Sequence, residues 1–203
     1  MTSGEAYGRL ARFGRPVVET REAAALLGVS VSSASHLLRS PAGSGLARRL
    51  HRGVWAVGAA ADPRVLAPYL TSPYPGYVSL WSALAYHGMV DQIPAQTFVA
   101  SLGRTRTIST PSGSFSIHHL TPELFGGFTG DPDHGFLATP EKALFDVVYV
   151  RAPRGGRVYF PEIELSADFD YPALEAWIAR VPNAKIRTVV RREIERTLGV
   201  VTG

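Results

Sequence analysis

Cysteine is absent from the 203 residues, which excludes disulfides, iron–sulfur clusters and thiol catalysis. No run approaches the ~18 uninterrupted apolar residues of a membrane helix. The opening stretch MTSGEAYGRLARFGRP also lacks the apolar centre of a secretory signal, so a soluble, cytoplasmic protein is expected. No coiled-coil repeat or low-complexity tract is visible. Neither Gly126-Gly127 nor Gly155-Gly156 leads into the Gly-Lys-Ser/Thr of a phosphate loop, and no Gly-x-Ser-x-Gly nucleophile elbow occurs.

What is present fits one large or two small domains. At 45% hydrophobic residues, the chain can fill a core without metals or cross-links. The net charge of +4 is unevenly placed. Residues 1–58 carry eight arginines against three glutamates, a net +5, and the rest of the chain is close to neutral. A basic head on a neutral body suits a partner made of phosphates.

Within that head, TREAAALLGVSVSSASHLLR (residues 20–39) carries two short helical patterns around Gly28-Val29-Ser30. The connection is too short for antiparallel packing, so the helices should cross steeply as a helix-turn-helix. Thr20 and Ser30 are expected as N-caps. Ala24, Leu27, Val29, Ala34, Leu37 and Leu38 form the expected seam. The polar face left over holds Ser32, Ser33, Ser35, His36 and Arg39, the residues a second helix of this kind lays in the DNA major groove.

The flanking segments complete the picture. A helix over Ala6–Phe13 should precede the pair, with Tyr7, Leu10 and Ala11 on one side. Pro41–Gly45 is a loop, and LARRLHRGVWAV (46–57) gives two strands around Arg52-Gly53. Arg48, Arg49, His51 and Arg52 then sit on a basic hairpin beside Trp55, in position for phosphate. The expected fold is α+β: a winged helix-turn-helix over residues 1–60, a boundary near Ala59–Arg64, and a mixed α/β domain over 61–203.

In that second part, Val65–Leu70 reads as a helix and YVSLWSALAYHGMVDQIP (77–94) as a buried helix opened by Ser79 and closed by Gly88, with Leu80, Trp81, Leu84 and Ala85 inside. Thr97–Ser101, Thr105–Thr110 and Ser114–Leu120 read as strands, with Pro111-Ser112-Gly113 as the turn. A helix starts at Thr139-Pro140-Glu141, where capping accounts for the acid and a surface position for Lys142. YFPEIEL (159–165) reads as a strand, and helices are expected at Pro172–Val181 and Ala184–Leu198. In the last of these, Ile186, Val189, Val190, Ile194 and Leu198 form the apolar face. Lys185, Arg192 and Arg196 make a basic stripe away from it, a possible secondary DNA contact.

The basic head followed by YVSLWSALAYHGMVDQIP, by strands containing RTRTIST, and by ATPEKALFDVVYV resembles the AbiEi family of bacterial antitoxins, which accompany AbiEii-type nucleotidyltransferase toxins in type IV toxin–antitoxin systems. The resemblance spans nearly the whole chain and rests on the ordered set, each motif alone being unspecific. It implies a transcriptional regulator that represses its own operon by binding double-stranded operator DNA through the N-terminal domain. The C-terminal domain would counter the toxin without a stable complex.

Enzymatic readings stand beside it. His118 and His119, with His87 and His134, suggest a metal site, but adjacent histidines on a strand point to opposite faces and cannot both face one ion without distortion. Asp146, Glu162 and Glu164 suggest a magnesium nuclease, but Glu162-Ile163-Glu164-Leu165 lacks the acid-x-Lys such a core wants. The expectation is a non-enzyme without metal or cofactor. A nuclease targeted by the same head, or a ligand-sensing repressor unrelated to a toxin, are the alternatives.

Overall fold

The structure, a computed structural model, describes residues 1–39, 47–58, 61–151, 160 and 163–199. The loop expected at Pro41–Gly45, Gly155-Gly156, Glu162 and the first two residues of the expected boundary segment, 59–60, lie outside them. The fold is α+β.

The head begins with α1 (Ser3–Arg12), opened by a capping box in which Thr2 Oγ1 accepts from the Glu5 N–H and the Glu5 carboxylate accepts from the Thr2 N–H. Its buried residues are Ala6 and Leu10, and Ala11 faces solvent rather than the core. A short strand β1 (Val17–Glu19) follows, one the sequence pattern did not signal. Then come α2 (Thr20–Leu27) and α3 (Val31–Arg39). Gly28, at φ 66°, takes the left-handed conformation that ends α2 at little cost. Ser30 Oγ accepts from the Ser33 N–H at 3.1 Å and caps α3. Strands β2 (Ala47–His51) and β3 (Val54–Val57) close a three-stranded antiparallel sheet in the order β1-β3-β2, with Gly53 at φ 80° in the hairpin turn.

The cap of α2 differs from expectation. Thr20 lies inside the helix and Glu19 is the capping position. The Thr20 hydroxyl instead donates to the Gly53 carbonyl (3.2 Å) and accepts from Trp55 Nε1–H (2.9 Å), tying α2 to the β2–β3 hairpin. Trp55 is buried, so Thr20→Val leaves its N–H without a partner and should cost about 1–3 kcal/mol, read as a lower urea midpoint with an unchanged slope.

After α4 (Pro63–Thr71), a six-stranded mixed sheet forms from β4 (Gly76–Val78), β5 (Thr97–Ser101), β6 (Arg106–Thr110), β7 (Gly113–His119), β8 (Phe128–Asp131) and β9 (Gly135–Ala138), in the order β6-β7-β5-β4-β9-β8. Tyr77 and Val78 are therefore strand residues, and the helix expected from Tyr77 onward is only α5 (Leu80–Tyr86), with Trp81 and Ala85 half-buried. Helices α6 (Pro140–Arg151), α7 (Tyr171–Ala179) and α8 (Ala184–Thr197) complete the body. The described residues of 159–165 form no strand, and Phe160, Ile163 and Leu165 pack against the core as irregular chain.

Because side chains alternate across a strand, the sheet has two covered faces. Tyr77, Ala100 and Ala138 face α5–α8, in a core that includes Leu144, Phe145, Leu174, Ile178, Val190 and Ile194. Val78, Val99, Ile108, Phe115 and Ile117 face the other way. There they join Val65, Leu66 and Leu70 of α4 and Val17, Leu50, Val54 and Ala56 of the head in one continuous cluster. A third cluster lies inside the head, around Leu10, Val18, Ala23, Leu27, Leu38 and Trp55. Head and body thus share a core across residues 58–64. On α8, Val189 is 40% exposed, not buried. At ~100° per residue it falls beside the basic stripe, away from Val190 and Ile194.

Candidate nucleic-acid interface

Four residues of α3, Ser32, Ser35, His36 and Arg39, are spaced three or four apart and so share one face of the helix. That face opens on a cleft of about 1010 Å³. The β2–β3 hairpin supplies Arg49, His51 and Arg52 to the same cleft, and the start of α2 supplies Arg21. These side chains are exposed apart from half-buried Ser35. The hairpin is held against α2 by the Thr20 bonds, and alternation along β2 turns Leu50 into the core while Arg49 and His51 face out. Arg49 Nε also donates to the His51 carbonyl at 3.3 Å.

Two residues expected in this set are placed elsewhere. Ser33 sits one position off the cleft-facing row and pairs its hydroxyl with Ser30 Oγ at 2.8 Å, as part of the helix cap. Arg48 points along the opposite side of β2, and its Nη2 donates to Ser112 Oγ in the β6–β7 turn at 2.8 Å. Alternation along the strand separates it from Arg49. It fastens the hairpin to the body and does not line the cleft.

The body adds a wall of its own. Tyr69, Leu70 and Ser72 from the end of α4, and Arg106 from edge strand β6, line the cleft together with the head residues. Nothing in the local pattern of RTIST marks Arg106, because its position depends on how β6 sits against α4. Among the described residues, five arginines (Arg21, Arg39, Arg49, Arg52, Arg106) and two histidines thus line the cleft, with Glu19 as the one acid. Such a concave surface of one sign concentrates positive potential.

The basic stripe of α8 is not part of this surface. Lys185, Arg192 and Arg196 are exposed, but α8 packs on the sheet face opposite the one shared with the head. Arg196 is also paired with Glu193 at 2.7 Å. The sheet therefore stands between stripe and cleft.

The carboxylates weighed for nuclease chemistry are not assembled either. Asp146 is fully buried. It is ion-paired with Lys142 and accepts from Ser79 Oγ (2.7 Å) and the Tyr77 hydroxyl (3.3 Å). Lys142 was expected at the surface and is instead completely enclosed, with Nζ 4.7 Å from the centre of the Trp177 ring and 5.0 Å from that of Phe145. Burial pushes the Asp146 carboxyl above its ordinary range and the Lys142 amine below its own, each partly offset by the other's charge. Glu141 is buried too and accepts from the Asp170 N–H that starts α7. Glu164 is exposed, and its own N–H donates to the Met89 carbonyl.

His118 stacks on Phe98 and bonds Ser116 Oγ, whereas the His119 ring bonds the carbonyls of Leu102 and Gly103. His87 bonds the Ala138 carbonyl, and His134 pairs with exposed Asp131. Among the described residues, no group of three or more His, Asp or Glu side chains is placed to hold a metal ion, and no helix is long and apolar enough to cross a membrane. No family model matches the chain, and no curated protein matches it in sequence.

Proposed function

We propose that this protein is a DNA-binding transcriptional autoregulator and antitoxin. Its residues 1–60 are read as a winged helix-turn-helix, and residues 61–203 as the part that counters a nucleotidyltransferase toxin without a stable complex. The observation that carries the DNA half is the cleft. Helix, hairpin and basic side chains meet on one accessible surface, and the order α1-β1-α2-α3-β2-β3 with the sheet β1-β3-β2 supports a reading in which α3, the second helix of the helix-turn-helix, enters the major groove. In this reading His36 and Arg39 face base edges, Ser32 and Ser35 adapt to either, and Arg49, His51 and Arg52 hold phosphate. The antitoxin half is supported by the ordered resemblance to the AbiEi family alone.

The test is binding of the full chain to duplex DNA taken from upstream of its own gene and to random duplex, as a function of salt. Arg49→Ala with Arg52→Ala should weaken both and lower the salt slope by about two, since each phosphate contact contributes ~0.9. Arg39→Ala should cost about 1–3 kcal/mol on the upstream DNA with little change on random duplex. An unchanged slope in the double hairpin variant would remove the interface. In cells expressing the toxin, the same double variant should still rescue growth. Loss of rescue together with DNA binding would show that the two activities are not divided this way.

A further inference from the structure

The body's wall of the cleft is built around one cation. Of the described residues beyond Val57 that line it, only Arg106 is charged. Arg106 Nη2 donates to the Leu70 carbonyl at the last turn of α4, 2.9 Å away, so the guanidinium is held at the cleft while the side chain remains exposed. The position is set by the shared core. Ile108, two residues along β6, is buried in the cluster that also contains Leu70 and the head's Val17 and Val54. Arg106 therefore keeps a fixed place relative to α3 and the hairpin.

We infer that Arg106 is a phosphate-binding residue of the DNA interface, so that the second contact supplied by residues 61–203 comes from the edge of the sheet at β6 and not from α8. The inference rests on the DNA-binding reading of the cleft. Duplex DNA seated on α3 has a phosphate strand on each side of the groove, about 12 Å apart. The hairpin arginines serve the head's part of the cleft, and Arg106 gives the body's part the charge to engage backbone. A guanidinium that spends one N–H on a carbonyl still has four donors in its planar fork for phosphate oxygens. The body would in this way fix the orientation of the head on DNA without reading sequence.

The experiment uses the full chain and a random-sequence duplex of about three helical turns, with log Kd followed against log salt. Arg106→Gln should lower the slope by about one and weaken binding ~3- to 10-fold near physiological salt, equally on random and upstream DNA. Arg106→Lys should retain most of both. Were Arg106 only a cap for α4, both variants would lower the melting temperature and neither would move the slope, and the inference would be overturned. It is equally overturned if Arg106→Gln binds as wild type while the Arg49→Ala, Arg52→Ala double variant loses slope, an outcome that leaves the DNA reading standing. If neither changes the slope, the DNA reading itself falls.

Discussion

Asp146→Ala should lower stability by about 3–5 kcal/mol, the usual consequence of stranding one member of a buried ion pair, and should lower the melting temperature by roughly 6–20 °C for a chain of this size. The carboxylate is the common acceptor for Lys142 Nζ, Ser79 Oγ and the Tyr77 hydroxyl, all within the core between α6 and β4. Its removal leaves an ammonium enclosed by Trp177, Phe145 and Tyr77. The loss should depend on pH in a definite direction. With Asp146 gone, nothing offsets the burial that already pushes the Lys142 amine down. Its folded pKa then lies below the ~10.4 of the unfolded chain. Between those two values the unfolded state binds more protons, so the variant is more stable at alkaline pH and loses stability as pH falls. Urea midpoints at neutral pH and near pH 10 should converge toward wild type at the higher value. A constant gap would mean that Lys142 does not remain buried. The paired replacement Lys142→Met with Asp146→Leu should recover most of the loss, because a buried ion pair contributes little beyond what an apolar pair of similar size gives.

The second large effect is expected at Gly135, where β9 begins beneath α4. Its φ is 80°, and a Cβ there would lie 2.3 Å from the Arg64 carbonyl carbon and 2.5 Å from the Val65 nitrogen. Both neighbours are backbone of the first turn of α4 and cannot swing aside. Gly135→Ala combines a left-handed conformation for a non-glycine residue with displacement of a helix packed against the sheet. A loss of at least ~3 kcal/mol is expected, roughly 6–12 °C in melting temperature. Because α4 carries Tyr69 and Leu70 of the cleft wall, the proposed DNA binding at the cleft should also weaken in this variant at temperatures where it is still folded. A melting curve within a couple of degrees of wild type would show that α4 and the β8–β9 hairpin are not in contact as described.

The head was largely legible because its determinants are local. Gly28 between two apolar periodicities, Ser30 three residues before Ser33, and Arg52-Gly53 between two strands each specify their own turn within a few residues. What the sequence withheld is what depends on distant partners. Val17–Glu19 is too short to read as a strand until β3 pairs with it. Tyr77 and Val78 look like the start of the apolar run of α5, and only their pairing with β5 and β9 makes them a strand. Lys142 looked exposed because it follows a helix cap. The hint lay in Asp146, one turn on and within an otherwise apolar stretch, since an i,i+4 pair on a helix buried all round points inward. For the same reason the α3 and hairpin half of the cleft could be named in advance, whereas Arg106 and Tyr69 could not.

The cluster that unites Val17, Leu50 and Val54 with Val65, Leu66, Val78 and Phe115 also bears on how long the protein survives in a cell. A shared core makes opening of the head and opening of the adjoining sheet a single event, so amides in both should exchange with solvent at similar free energies. Any duplex held at the cleft then protects the whole assembly by mass action, by about 2.7 kcal/mol when DNA is present at ~100 times its Kd. If the cleft binds DNA as proposed, molecules released from it would be the ones that proteases reach first. The free pool would then turn over faster than the bound one, and the protein's lifetime would itself report how much of the DNA is occupied.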